Sequence, residues 1–154
     1  HSSEADLEEW ISKGGNVCIC PLTEANLADG ICDIHRIVNN SGCICIGTDS
    51  NARISMVEEM RWLEYAQRLS REARGICIDS SGDMGVALIT SATKCGARAL
   101  GIPAGAIEVG KYADFTVINL QHRQLQGVRQ EELIAAICCG ADNGVIKRTI
   151  VAGI

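Results

Sequence analysis

A carboxylate follows a short apolar run about one third of the way along the chain. Residues 43–46 read Cys-Ile-Cys-Ile, and Gly47, Thr48 and Asp49 come directly after them. An uninterrupted apolar run of this length predicts a strand buried on both faces, as in parallel sheets. The carboxyl ends of such strands carry the chemistry in α/β folds, so Asp49 stands where a catalytic or metal-binding carboxylate would stand. The alternatives are that Asp49 caps the next helix or that residues 48–51 form a simple turn.

Cysteine is the second residue type that could do chemistry, with nine in the chain. Cys18 and Cys20 lie two apart in one predicted strand, and Cys43 and Cys45 lie two apart in another. Metal-binding cysteine pairs usually need a turn between the ligands, and neither pair has one. We therefore interpret these cysteines as small buried hydrophobic residues, with a disulfide or a metal site as the alternatives.

Three histidines complete the inventory of candidate groups. His35 in a predicted helix and His122 in a polar loop are interpreted as surface residues, whereas His1 precedes a helix and could end a strand. Neighbouring helix positions diverge by about 100°, so Glu58 and Glu59 are not expected to share a site. The chain has no His-x-His, His-Glu-x-x-His, Gly-x-Gly-x-x-Gly, Walker lysine or Gly-x-Ser-x-Gly motif.

The elements that position these groups follow from hydrophobic periodicity and from turn signals. Segment 22–30 is polar and turn-rich, which predicts a loop between the first strand, 16–20, and the helix that precedes the second strand. This order predicts a right-handed βαβ unit. Glu64 and Arg68 can pair across one helical turn. Helices are predicted over residues 3–13, 32–39, 54–71, 83–92, 93–100 and 130–138. The segments 83–92 and 93–100 are predicted to be either two helices or one kinked helix. Further strands are predicted over 113–119 and 145–152. The inward residues of the first three helices are predicted to be Leu7, Trp10, Ile11, Ile34, Ile37, Val38, Val57, Met60, Leu63 and either Ala66 or Gln67.

Composition limits the class of protein. The chain has 154 residues, 47% hydrophobic and 21% charged, which predicts one globular domain. The net charge of -5 and the absence of a Lys/Arg block argue against nucleic-acid binding. No apolar run is long enough to span a membrane, and the start does not resemble a signal peptide, so a reducing cytoplasm is expected. The chain begins without methionine, which favours a processed product or a fragment.

Four stretches of the chain form a combination that is typical of one family. They are His1, the segment 20–30 (Cys-Pro-Leu-Thr-Glu-Ala-Asn-Leu-Ala-Asp-Gly), Gly47-Thr48-Asp49-Ser50 and the tail after Gly101. The first three resemble the end of the barrel, in the last third of metal-dependent amidohydrolases. The tail from Gly101-Ile102-Pro103 through Glu108–Val117 resembles the return to its accessory β-sandwich. Within the family, residues 23–30 and 57–69 are similar to the formimidoylglutamate deiminases of histidine breakdown. The resemblance covers nearly the whole chain.

The resemblance implies an α/β fold. Residues 1–102 would be the C-terminal part of a TIM-like (β/α)8 barrel, its last three βα units, and residues 103–154 would be part of an accessory β-sandwich. Asp49 would match the eighth-strand aspartate that binds the metal and takes a proton from the attacking water. His1 would match the sixth-strand histidine that orients and polarises that water or the substrate. The metal is expected to be a divalent cation, zinc, whose other ligands lie outside this chain, because a whole barrel takes about 250 residues.

The expected function is that of a hydrolase acting on a non-peptide C–N bond. The resemblance points to formimidoylglutamate iminohydrolase, which releases ammonia, and the alternatives are deamination of guanine or another amino-heterocycle, or a catalytically incompetent fragment. The expected partner is a small-molecule substrate, with neither nucleic acid nor membrane, and the full-length protein is expected to be a homodimer. Asn51 stands where histidine is expected after the Asp-Ser pair, which leaves the substrate open. The substrate-binding residues are not located.

Overall fold

A pair of parallel strands forms the centre of the first two thirds of the molecule. The computed structural model describes residues 3–39 and 43–154. Strand β1 (Asn16–Ile19) pairs in parallel with β2 (Cys43–Ile46), with Asn16 opposite Cys43 and Ile19 opposite Ile46. Helices α2 (Pro21–Leu27) and α3 (Ile34–Asn39) connect the two strands. The predicted βαβ unit is therefore present.

The sequence predicted three parallel strands from the last three βα units of a barrel. The described residues contain two parallel strands, β1 and β2. Helix α1 (Glu4–Ser12) precedes β1, and the strand expected before it would end at His1, outside the described residues. No closed barrel is seen in the part of the chain that the structure describes. No helix in residues 3–39 or 43–154 is long and apolar enough to cross a bilayer.

The segment 22–30, predicted to be a loop, is instead mostly the helix α2. Pro21 occupies its first turn, where a missing N–H costs nothing, and the Cys20 N–H donates to Glu24 Oε1 at 2.8 Å. The Leu22 N–H donates to Glu59 Oε2 at 3.0 Å, from a residue 37 positions along the chain. The helix ends at Ala28, which is left-handed with φ 60°. The loop prediction was wrong because a distant carboxylate helps to satisfy this helix's first amides.

Helix α4 (Met56–Arg71) packs on the strands with the predicted apolar stripe. Ser55 caps it by accepting from the Glu58 N–H at 3.3 Å. The predicted Glu64–Arg68 pair is confirmed, with Arg68 Nε 2.7 Å from Glu64 Oε1. Of the predicted inward residues, Val38 and Trp10 are largely exposed, at 43% and 55%. The main core comprises Ile11, Ile19, Ile34, Ile37, Ile44, Ile46, Val57, Met60, Leu63, Cys77, Leu88 and Cys138.

Residues 84–100 form one continuous helical segment with an irregular middle, as the sequence allowed. Helix α5 (Met84–Thr90) passes through a π-helical turn (Ser91–Cys95) into α6 (Gly96–Leu100). Ser91 and Thr93 donate their hydroxyls to the carbonyls four residues back, at 3.1 and 2.6 Å. Cys95 in this turn forms a disulfide with Cys43 at the start of β2.

The tail contains a small antiparallel sheet. Strand β3 (Phe115–Ile118) pairs with β4 (Ile146–Ile150) and has an irregularity between Val117 and Ile118. Helix α7 (Leu133–Gly140) lies between them in sequence and adds Cys138 to the main core. A second cluster lies beneath it, formed by Leu125, Ala141 and Val145. The short helical turns of the tail span Arg123–Leu125, Gln130–Glu132 and Asn143–Val145.

The junction between α1 and β1 is closed by a tryptophan. Ser3 caps α1 in a capping box with Asp6. Trp10, at the outer side of α1, donates its indole N–H to the Asn16 carbonyl at 2.9 Å. Its ring lies against Gly15, where any side chain would collide with the indole.

Candidate active site

Asp49 lies three residues beyond β2 in a tight turn. The Asn51 N–H donates to the Thr48 carbonyl at 3.1 Å, and the Asp49 side chain is exposed. The turn predicted for residues 48–51 is therefore present, whereas the cap of α4 is Ser55 and not Asp49. Asp49 has φ 48°, a left-handed conformation that costs an ordinary residue about 1–2 kcal/mol.

A buried hydroxyl on α2 holds the residue before Asp49. Thr23 is 2% exposed, and its Oγ1 donates to the Thr48 carbonyl at 2.8 Å. One residue earlier, the Leu22 N–H donates to the Glu59 carboxylate. The ends of β1 and β2 are thereby tied to each other and to α4.

Two buried carboxylates on α4 have opposite electrostatic environments. Burial alone would raise the pKa of Glu64, but the Cys77 N–H at 2.7 Å and the Arg68 guanidinium hold that pKa below its usual range. The pKa of Glu59 is raised, chiefly by burial. Among the described residues, the Leu22 N–H is the one donor that lowers this pKa, and no donor reaches Oε1. Glu58 points elsewhere, to Arg53 at 2.5 Å, so Glu58 and Glu59 share no site, as predicted.

The thiols of Cys18, Cys20 and Cys45 lie close together on and just after the paired strands. Cys18 and Cys20 lie against Gly47, where an added Cβ would be 3.5 and 3.4 Å from their sulfurs. Burial, with contributions from Cys20 and Cys45, raises the pKa of Cys18 to about 12. Burial also raises the pKa of Cys20, and the negative charges of Asp49, Glu24 and Glu59 add to this. These cysteines are therefore neutral thiols at pH 7, which makes them poor nucleophiles.

The interpretation of the strand cysteines as small buried residues applies to part of the set. Cys45 is buried, Cys20 is half-buried, Cys18 is exposed, and Cys43 is in the disulfide with Cys95. The disulfide alternative therefore holds for one strand cysteine, with a partner that the sequence did not indicate.

The histidines contribute little to the described part of the site. His1, the second predicted catalytic residue, lies outside the described residues. His35 is exposed on α3, as predicted. His122 is half-buried rather than on the surface, and its Nδ1 accepts from the Gln124 N–H at 3.4 Å.

The described residues do not assemble a metal site on their own. Asp49 offers a carboxylate of the kind that binds divalent cations. No group of three or more His, Cys, Asp and Glu side chains in residues 3–39 and 43–154 is placed to hold an ion. The described residues therefore do not form a complete site for the expected metal, and Asp49 remains the carboxylate predicted to bind it.

A hollow of about 380 Å³ lies between α2, the segment 28–32 and α4, away from Asp49. Its walls are mainly apolar, with Ile19, Pro21, Ile31 and Trp62 among them. It shares Glu24 with the acidic surroundings of Cys20, but the Asp49 loop does not line it.

Sequence reasoning missed Thr23 and Glu59. Thr23 lies in the segment that was predicted to be a loop, and Glu59 was considered only as half of a carboxylate pair. One signal in the sequence could have identified Thr23. It lies three positions beyond the predicted strand 16–20, and residues after the carboxyl ends of neighbouring parallel strands, such as Thr23 and Asp49, lie at the same edge of the sheet.

The profile of the amidohydrolase family matches residues 1–154. A formimidoylglutamate deiminase from Pseudomonas aeruginosa is 33% identical over 154 residues, which are 99% of this chain and 34% of that protein. An amidohydrolase from Brucella melitensis superimposes with a TM-score of 0.84 at 31% identity, over 100% of this chain and 34% of that one. A zinc-bound adenosine deaminase from Xanthomonas campestris also gives 0.84, at 26% identity over 99% of this chain and 34% of that one. The chain thus spans about a third of the length of these relatives, with the α/β architecture of a TIM-barrel-type fold. It belongs to the amidohydrolase family.

Proposed function

We propose that this chain is the C-terminal third of an enzyme that hydrolyses N-formimidoyl-L-glutamate and releases ammonia. The observation that carries the proposal is the 33% identity to the Pseudomonas aeruginosa deiminase over nearly the whole chain. Within the proposal, residues 1–102 belong to the barrel and 103–154 to the return into the accessory β-rich domain. The enzyme acts in histidine breakdown in the cytoplasm, as a homodimer of the full-length protein.

Asp49 is the residue that we expect to move protons. Water adds to the C=NH carbon, Asp49 takes the proton that the water loses, and a tetrahedral intermediate forms. Asp49 gives this proton to the nitrogen, which becomes an NH2 group, then takes the proton of the new hydroxyl and passes it to the same nitrogen. The C–N bond then breaks, and ammonia leaves as the carbonyl forms. An exposed carboxylate at the end of a parallel strand, fixed by its turn, suits this proton transfer. His1 is proposed to orient the water or the substrate.

A divalent metal, zinc in the Xanthomonas campestris relative, would lower the pKa of the attacking water. Asp49 is the ligand that this chain is proposed to supply, and the remaining ligands are proposed to come from the part of the enzyme outside it.

The second candidate is a deaminase of an amino-heterocycle such as adenosine or guanine. Asn51 stands where histidine was expected after the Asp-Ser pair, which leaves room for this substrate class. The adenosine deaminase of Xanthomonas campestris also superimposes as well as the Brucella melitensis protein does. The third alternative is a fragment without activity.

The test is ammonia release by the natural gene product that contains this chain. We expect turnover of N-formimidoyl-L-glutamate and none of guanine or adenosine. Asp49→Asn should lower kcat by about 10²- to 10⁴-fold, the usual contribution of a general acid or base. Glu108→Gln is the control, because Glu108 is an exposed carboxylate in the tail. Turnover of the heterocycles alone would select the second candidate, and no turnover at all would select the third.

A further inference from the structure

We propose that Thr23 is a positioning residue for Asp49. The inference rests on the proposed function, which gives Asp49 its role in proton transfer. It concerns a residue that touches neither substrate nor the reacting atoms, and that acts through the backbone of Thr48.

The conformation of Asp49 needs support from outside its own turn. Its φ of 48° lies in the left-handed region, which aspartate adopts more often than most residues but less often than negative φ, so contacts from outside the turn help to keep it there. The φ angle of Asp49 is rotation about the bond between its nitrogen and its Cα. That nitrogen lies in the same peptide plane as the Thr48 carbonyl. A hydrogen bond that fixes the direction of the Thr48 carbonyl therefore fixes one side of this rotation.

Thr23 supplies the hydrogen bond that reaches this carbonyl from another element. The Thr48 oxygen accepts from Asn51 N at 3.1 Å, which belongs to the turn itself, and from Thr23 Oγ1 at 2.8 Å. Thr23 is 2% exposed, so water does not compete easily for this bond. Among the bonds of the described residues, removal of the hydroxyl leaves only the local turn bond to the Thr48 carbonyl.

Thr23 is itself held in place by three neighbours in sequence. Cys20 donates to Glu24, Pro21 is buried at the start of α2, and Leu22 donates to the buried carboxylate of Glu59 on α4. The first turn of α2 is thus anchored to α4, and its hydroxyl is directed at the neighbouring strand end. These contacts explain how a side chain at the start of α2, just after β1, can fix the turn that follows β2.

The experiment compares Thr23→Val with Thr23→Ser in the natural gene product. Valine keeps the shape of threonine and removes the hydroxyl, whereas serine keeps the hydroxyl. We expect Thr23→Val to lower kcat about 10- to 100-fold with KM little changed, because a small displacement of a catalytic group has effects of this size. Thr23→Ser should restore most of kcat. Equal kcat in the valine variant and the unmutated enzyme, or equal losses in both variants, would overturn the proposal.

Crystal structures of the same two variants separate this inference from the proposed function. In Thr23→Val the Asp49 carboxylate should be displaced and its φ should leave the left-handed region, while Thr23→Ser should match the unmutated protein. If Asp49 keeps its conformation in Thr23→Val, the proposal falls whatever the enzyme hydrolyses. If the unmutated protein turns over no substrate, the proposed function fails and the structures still decide the inference. Thr23→Ala takes the place of the valine variant if that variant does not fold.

Discussion

Replacing Glu64 by glutamine removes the charge from a buried carboxylate and exchanges one acceptor oxygen for an NH2 group. Oε1 accepts from Arg68 Nε at 2.7 Å and from Gly75 N at 2.9 Å, and more weakly from Ile76 N at 3.3 Å. Oε2 accepts from Cys77 N at 2.7 Å. If the amide oxygen of glutamine takes the first position, its NH2 group faces the Cys77 N–H, and that buried donor loses its partner.

The magnitude follows from these contacts. An unsatisfied buried donor costs about 1–3 kcal/mol. The Arg68 guanidinium also loses its anionic partner. Removing one member of a buried ion pair costs about 3–5 kcal/mol, and the lower end of that range applies here because the Arg68 side chain is 22% exposed and water can partly solvate its charge. We expect Glu64→Gln to lower the free energy of unfolding by that amount. With an m-value of about 2 kcal/mol/M, the urea midpoint would fall by about 1.5 M.

Glu59→Gln is the matched control on the same helix. Glutamine can still accept from the Leu22 N–H, and its NH2 group replaces an oxygen that already lacks a donor. The stability change is expected to stay within about 1 kcal/mol, because a carboxylate that is costly to ionise is removed. Urea unfolding followed by circular dichroism at pH 7 measures both variants. A loss in Glu59→Gln as large as that in Glu64→Gln would refute this account of the two sites.

Three further predictions concern pH, close packing and the disulfide. The pKa of Glu64 is lower in the folded than in the unfolded protein, so its carboxylate stabilises the fold above the unfolded pKa and loses this effect as pH falls through the folded pKa. The urea midpoints of the unmutated protein and of Glu64→Gln should therefore converge in acid. A difference between the two midpoints that stays constant with pH would contradict this. Gly85→Ala should lower the free energy of unfolding by about 1–3 kcal/mol, because the added Cβ would lie 2.7 Å from the backbone nitrogen of Ala135. Gly96→Ala should raise it by up to about 1 kcal/mol, because Gly96 has a helical φ of -61° and open space around its Cα. Thermal unfolding of both variants measures the contrast, and equal shifts in their melting temperatures would refute it. Reduction of the Cys43–Cys95 disulfide, which joins residues 52 positions apart, should lower the free energy of unfolding by up to about 4 kcal/mol. Dithiothreitol should therefore lower the urea midpoint of the unmutated protein and leave that of Cys43→Ser unchanged. If the reductant changes neither midpoint, the disulfide does not form.

Local patterns predicted the elements whose determinants lie within a few residues. Helix α4 was predictable because its apolar stripe and its Glu64–Arg68 pair follow helical spacing. Helix α2 was not, because a carboxylate 37 residues away satisfies its Leu22 amide. The exposure of Trp10 was likewise not predictable from local patterns. Its spacing matched the apolar stripe of α1, but its side chain lies on the surface, where the indole N–H donates to the Asn16 carbonyl.

The candidate site was predictable only at its strand end. Asp49 was identified because it follows a buried apolar run, a pattern contained in the sequence itself. Thr23 and the Cys43–Cys95 disulfide depend on which residues meet across the sheet and the 84–100 segment, and sequence spacing carries no such information.

Trp10 gives the molecule a built-in optical probe of one junction. The chain has only two tryptophans, and the other, Trp62, lies on α4. The Trp10 indole bridges the end of α1 to the first residue of β1 while its ring stays 55% exposed. Undocking of α1 breaks that bridge and changes the solvent around the ring, so its emission reports this step. In a Trp62→Phe background, fluorescence would follow the detachment of the first helix, and far-ultraviolet circular dichroism would follow the remaining helices.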